Sequence, residues 1–171
     1  MRRHWFPKPY ADFVARLRVP AGFLLIVAYV WLSRPTAGTL AAGLPLAVAG
    51  LLLRGWAAGH LSKNEELAES GPYSWVRNPL YLGSLVVGAG VAIASRSVPL
   101  AVLFAATFFL VYLPVIELEE QHLRALFPAY AEYACRVPLL IPRVPASPAP
   151  ARRFRWDLYL RNQEYQALAG F

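Results

Sequence analysis

Cysteine is nearly absent from this chain: Cys135 is the only one in 171 residues, which excludes a disulfide scaffold. Charge is scarce as well. Asp, Glu, Lys and Arg together make up 16% of the residues, against about 25% in ordinary soluble domains. Apolar residues fill the gap at 57%, which excludes a disordered chain, because disorder requires low hydrophobicity, and points to a bilayer. The length suits one domain. Fifteen prolines and eleven glycines gather at the ends of apolar stretches, as short helices with punctuated joints require.

Four apolar stretches predict an all-α polytopic membrane protein with about four transmembrane helices. They run from about Pro20 to Ser33, Ala37 to Gly59, Pro79 to Ser95 and Val98 to Ile116. A span needs about 20 apolar residues, so the first recruits Leu17 and Val19 while Arg16 and Arg18 snorkel to the headgroups. Arg34-Pro35 makes one short turn, and Arg96 with its neighbours closes the last two stretches into a helical hairpin.

The placement of the basic residues sets the expected orientation. With four spans, Arg34 and Arg96 lie on one side and the other fifteen basic residues lie on the opposite side, together with all ten acidic ones. The positive-inside rule makes that second side, with both termini, cytoplasmic. The net charge of +7 then reflects topology and attraction to anionic membrane lipids. No zinc spacing or aromatic–basic strand motif supports nucleic-acid binding. The start is not expected to be a cleaved signal peptide, because Pro7, Pro9, Asp12 and Arg16 interrupt the apolar core that one requires. The proline-dense stretch from Val137 to Pro150 predicts an extended strap. Residues 151–171, with Phe154, Trp156, Leu158, Tyr159 and Leu160 among arginines, predict a C-terminal interfacial amphipathic helix. Residues 1–150 form the membrane domain.

Three polar clusters are expected on the cytoplasmic side: Lys63 to Tyr73, Arg77-Asn-Pro-Leu-Tyr-Leu-Gly83, and Glu117-Leu-Glu-Glu-Gln-His-Leu123. Both open ends of the last hairpin face that side, so the topology is expected to bring the second and third clusters together. Asn78 and Pro79 suit the N-cap and first turn of a helix, and a helix N-terminus also receives anionic oxygens. Glu119 and Glu120 point about 100° apart. Arg124, four residues after Glu120, makes Glu120 the expected solvated member and Glu119 the inward one. Pro114 is expected to bend the helix just before them. Ser84, Gly88 and Ala92 read as a small-residue stripe for close helix packing. His60 and His122 read as interfacial residues, and no cysteine or carboxylate spacing completes a metal site with them. His4 carries no signal.

Gly71-Pro-Tyr-Ser-Trp-Val-Arg-Asn-Pro-Leu-Tyr-Leu-Gly83, then the hairpin, then Glu119-Glu-Gln-His-Leu123, Phe127-Pro-Ala-Tyr130, Tyr133 and Arg136-Val-Pro138 form an ordered series. Over about Leu51 to Arg143 the chain resembles the isoprenylcysteine carboxyl methyltransferase family, in a bacterial branch whose C-terminal segment is similar to Asn162-Gln-Glu-Tyr165. The superfamily also holds the phospholipid N-methyltransferases. The resemblance implies S-adenosylmethionine as cofactor, bound by Glu65, Glu66, Leu67, Ala68, Tyr73, Asn78, Pro79, Leu80, Tyr81 and Glu119. It implies methylation of a lipophilic small molecule or lipid at a carboxyl, thiol or amine.

Two positions depart from that family. Asn78 replaces a histidine, which removes any imidazole chemistry. Pro114-Val115-Ile116 stands where an arginine is associated with the acceptor carboxylate, which weakens a prenylcysteine as acceptor. Methyl transfer from a sulfonium needs positioning and exclusion of water rather than a metal or a covalent nucleophile. For an amine acceptor a base is useful, and His60, Glu120 and His122 are the candidates. The alternatives are a phospholipid N-methyltransferase and, from another class, a non-catalytic membrane scaffold with the same fold.

Overall fold

The computed structural model describes residues 6–145 and 152–169. Expectations that fell on Arg2, Arg3, His4, Pro148 and Pro150 lie outside the described residues. Among the described residues every regular element is helical: α1 (Lys8–Leu32), α2 (Ala37–Ala58), a 3₁₀ turn (Gly71–Ser74), α3 (Pro79–Ser95), α4 (Val98–Thr107), a π turn (Phe108–Tyr112), α5 (Leu113–Leu126), α6 (Tyr130–Arg136), α7 (Trp156–Arg161) and α8 (Tyr165–Ala169).

Three helical runs are long and apolar enough to cross a membrane, namely α1, α2 and the 29-residue run from Val98 to Leu126. The third expected span, α3, is a shorter apolar helix of 17 residues. At 1.5 Å per residue it reaches about 25 Å, a little under the roughly 30 Å of a hydrocarbon core. The first span begins earlier than the apolar run suggests. Pro7 occupies the N-cap of α1 and Pro20 lies inside the helix. Hydropathy places its start too late because packing extends it: Ala11 and Val14 are buried. Beyond Pro20 the helix turns apolar side chains outward, with Val30 72% and Trp31 82% exposed, as a lipid-facing surface requires. The C-terminal segment forms two short helices, α7 and α8, separated by a turn rather than one continuous helix.

The chain divides into two compact units. The first comprises Met1–Ala47 and Leu85–His122, and the second Val48–Ser84 and Leu123–Phe171. In the first unit, α1 is tied to the last long run. Phe6 N donates to Glu117 Oε2 at 3.1 Å, Tyr10 donates to the carbonyl of Leu110 at 2.7 Å, and Arg18 pairs with Glu119 at 3.5 Å. The Tyr10 bond has a chemical cause. Pro114 has no N–H, so the carbonyl four residues before it, that of Leu110, has no α-helical donor, and the phenol supplies one where the helix passes through its π turn. Close backbone-to-backbone packing involves Gly43 and Gly90, in addition to Gly88 of the expected Ser84–Gly88–Ala92 stripe. A Cβ on Gly90 would lie 2.5 Å from Ala47 N and 2.6 Å from the Gly43 carbonyl, while one on Gly88 would enter the Phe104 ring. The expected hairpin between α3 and α4 turns at Arg96, whose φ is +53°, and Ser97 caps α4 by accepting from Leu100 N.

The second unit is built around α6. Tyr130, Tyr133, Ala134 and Val137 form a buried cluster, with Leu67, Leu123 and Phe127 packed against it. Arg124 lies over the Tyr130 ring, 5.1 Å from its centroid.

Candidate functional site

Within the second unit, the Gly-Pro-Tyr turn and the Arg-Asn-Pro-Leu-Tyr segment are fastened to the chain that follows α6. Tyr133 donates its hydroxyl to the Tyr73 carbonyl at 2.7 Å. One Arg77 nitrogen, Nη1, donates to the carbonyls of Ala134 at 2.6 Å and Val137 at 3.1 Å. These belong to the C-terminal end of α6, where carbonyls lack intrahelical partners and a cation is favoured. Main-chain bonds run from Arg77 N to the Pro138 carbonyl and from Arg143 N to the Trp75 carbonyl. Asn78 donates its amide to the Leu139 carbonyl at 3.4 Å. Tyr73, Asn78 and Pro79 are all buried. Burial also pushes the Tyr133 phenol far above its ordinary pKa, aided by the neighbouring Tyr130 and Tyr73, so it remains a donor at any physiological pH.

The loop before this block is shaped by His60. Its Nδ1 lies 3.0 Å from Ser70 Oγ. Gly71 adopts φ +57°, and a Cβ there would lie 2.7 Å from His60 Nε2, so backbone conformation and space both require glycine. Partial burial lowers the His60 pKa and favours the neutral ring at pH 7. His60, Ser70, Glu66, Leu67, Ala68 and Glu69 line a cavity of about 70 Å³ that Arg152 helps close. Pockets for drug-sized ligands are typically about 300–1,000 Å³.

Arg152 comes from the C-terminal segment, which makes a series of bonds to this unit. Arg152 pairs with Glu66, and Arg161 pairs with Glu65 through two bonds of 2.5 and 3.2 Å. Asn162 donates to the carbonyls of Ala58 and Leu61, both at 2.9 Å, thereby capping the end of α2. Glu164, 9% exposed, accepts from Arg54 Nε at 2.5 Å. Arg54 Nη1 also donates to Ser84 Oγ at 2.5 Å and to the Leu80 carbonyl at 3.3 Å. Sequence reasoning did not find this buried pair, although a lone arginine inside an apolar run is itself a signal that a partner exists.

The structure therefore gathers nine of the residues singled out by sequence, Glu65 to Ala68, Tyr73 and Asn78 to Tyr81, in the second unit with His60. Glu119, Glu120 and His122 belong to the first unit. There the expected orientation of the two glutamates is reversed. The Glu119 side chain is 48% exposed beside Arg18, whereas Glu120 is half-buried with its Oε1 shielded from solvent. Arg124, expected as a solvent-side partner for Glu120, instead packs over the ring of buried Tyr130. His122 is exposed. Among the described residues no cluster of three His, Cys, Asp or Glu side chains is arranged to hold a metal ion.

Comparison with known proteins gives this arrangement a family. The cobalt-zinc-cadmium resistance protein CzcN of Cupriavidus metallidurans is 39% identical over 104 residues, covering 60% of this chain and 47% of that protein. The nickel-cobalt-cadmium resistance protein NccN of Alcaligenes xylosoxydans xylosoxydans is 37% identical over 118 residues, covering 67% of this chain and 53% of that protein. The chain thus spans about half the length of these curated relatives. No solved structure matches it. Residues 17–130 match the family model described as phospholipid methyltransferase, which is the wider kinship of the motifs and not a specific match to the isoprenylcysteine branch. The chain is a membrane protein, and it belongs to the phospholipid methyltransferase family.

Proposed function

We propose that the chain is an S-adenosylmethionine-dependent methyltransferase of the bacterial inner membrane, with cytoplasmic termini, acting on a lipophilic small molecule or membrane lipid. Family membership supports the reaction class. The observation that carries the reading is the fastening of Tyr73 and Asn78, through Tyr133 and Arg77, to one buried frame beside an acidic loop.

The donor chemistry of that frame fits the cofactor. Glu65, Glu66 and Glu69 offer acceptors for an ammonium group and a ribose diol, and their charge suits a sulfonium. The first turn of α3 supplies backbone donors suited to a carboxylate. Bound there, S-adenosylmethionine supplies an electrophilic methyl group. The chain's own task is to hold the Tyr73–Tyr81 frame rigid, exclude water, and admit an acceptor from the bilayer. Neutral His60 is the base candidate within this unit for an amine acceptor. Its Nδ1 is bonded to Ser70, so it also positions the loop. An amine headgroup is the acceptor the family description favours. A carboxylate acceptor is disfavoured by the missing arginine at Pro114–Ile116.

The test is calorimetric binding of S-adenosylmethionine and S-adenosylhomocysteine to detergent-purified chain, with Tyr81→Ala alongside and Glu119→Ala as a separate probe. Saturable binding lost in Tyr81→Ala supports the cofactor site, and no binding to folded wild type ends the reading. The relatives are named as metal resistance proteins, and the second reading is a membrane component of metal tolerance that does not act as a methyltransferase. Under it, Tyr81→Ala leaves the tolerance of a host strain intact, whereas an enzymatic role loses it.

A further inference from the structure

The C-terminal segment buries Leu158 midway along its length and makes two kinds of side-chain polar contact. Its inner end is fixed by the largely buried Arg54–Glu164 pair and by the two bonds from Asn162 to the end of α2. Its outer end is held to the loop by Arg152–Glu66 and Arg161–Glu65, in which all four side chains are at least half exposed. Exposed pairs of this kind shift an equilibrium by at most about fivefold each, and salt weakens them. The backbone bond from Arg155 N to the Gly59 carbonyl, at 3.0 Å, and the Phe154 ring seated on Gly59 give the outer end a defined place to which it returns. The loop it covers holds a cavity of only about 70 Å³, too small for a nucleoside-sized ligand.

We propose that residues 152–164 form a hinged strap: Asn162 and Glu164 anchor it, and Arg152 and Arg161 are releasable latches that govern access to the loop carrying Glu65 and Glu66. Opening frees both carboxylates and enlarges the space under the strap. Closing restores the arginine pairs. What enters is the cofactor of the preceding reading, and the inference rests on that reading for the ligand alone. The strap carries its own internal pair, Arg155–Asp157, so the charge released on opening is that of the two latch arginines and the two loop glutamates.

Two measurements on the full-length chain in detergent test this. The first is amide hydrogen exchange over 155–161 and 162–167 at 50 and 500 mM salt. The second is the stopped-flow association rate of S-adenosylhomocysteine. The variants are Arg152→Gln/Arg161→Gln, which removes the latches, and Gly59→Ala, whose methyl group takes the seat of Phe154 without touching any charge. In wild type, exchange over 155–161 rises about three- to tenfold at high salt while 162–167 is unchanged, and ligand association accelerates by a similar factor. Both variants exchange and bind fast already at low salt, and the double variant has lost its salt response. Wild-type exchange in both variants at both salts makes the strap a fixed part of the fold and overturns the proposal. So does faster exchange with unchanged association. If wild type binds no S-adenosylhomocysteine at either salt, the cofactor reading fails, and the exchange measurement alone decides whether the latch exists.

Discussion

The hydroxyl of Tyr133 donates to the carbonyl of Tyr73 at 2.7 Å. The tyrosine of the Gly-Pro-Tyr turn is therefore placed by a helix sixty residues further along the chain. Tyr133→Phe keeps the ring and removes the donor of this buried bond, at a cost of about 0.5–1.5 kcal/mol. A lower thermal midpoint in detergent is expected, together with weaker S-adenosylhomocysteine binding. An unchanged midpoint would mean that the bond contributes nothing.

Burial also raises the phenol's pKa in the fold, and the sign of the pH effect follows. The unfolded chain ionises near pH 10, before the folded one, so this contribution is complete below that pH and declines as pH rises above it. The alkaline loss of stability should be smaller in Tyr133→Phe, as read by urea unfolding at pH 9 and 11.

His60 works in the opposite direction. Its folded pKa lies below 6.5, so below about pH 6.5 the unfolded chain takes up a proton first. Stability is complete above that pH and falls as pH drops towards the folded value. Unfolding followed between pH 5 and 7.5 should show this slope in wild type and not in His60→Gln. Equal slopes would rule out His60 as its source.

The Arg54–Glu164 pair is expected to be costly to break from one side. Glu164→Ala leaves a largely buried guanidinium with Ser84 and Leu80 alone and should destabilise the chain by about 3–5 kcal/mol. Arg54→Leu/Glu164→Leu should recover most of that loss. Guanidinium or thermal unfolding of the single and double variants decides it, and equal loss in both would show that packing, not uncompensated charge, sets the cost.

Glycines in the first unit should behave in two ways. Gly90→Ala forces a methyl group to within 2.5 Å of backbone at Ala47 and should cost about 1–3 kcal/mol through overpacking. Gly22→Ala meets nothing within 4 Å and should gain up to about 1 kcal/mol from helix propensity. Thermal midpoints of the two variants should move in opposite directions.

The helical architecture and the motif block were legible in the sequence because both rest on local signals, namely apolar run length and fixed spacing around Gly71–Gly83. The π turn was not, because nothing in Phe108–Tyr112 distinguishes it from ordinary helix. The orientations of Glu119 and Glu120 were missed for another reason: Arg124, read as a solvent-side partner, lies over the buried Tyr130 ring. The partner of Arg54 was also hidden, since Glu164 lies 110 residues away in a segment whose composition suggested an interfacial helix. The beginning of α1 escaped hydropathy because buried Ala11 and Val14, not apolar length, extend the helix back to Lys8.

The Tyr10–Leu110 bond can close only late in synthesis. Tyr10 is made one hundred residues before its acceptor, and at about 5–20 residues per second that is a delay of roughly 5–20 s. Throughout that interval α1 has nothing of α4 to pack against and must wait at the translocon or in lipid. A replacement leader helix grafted in its place could insert equally well and still leave the Leu110 carbonyl without its donor once the chain was complete.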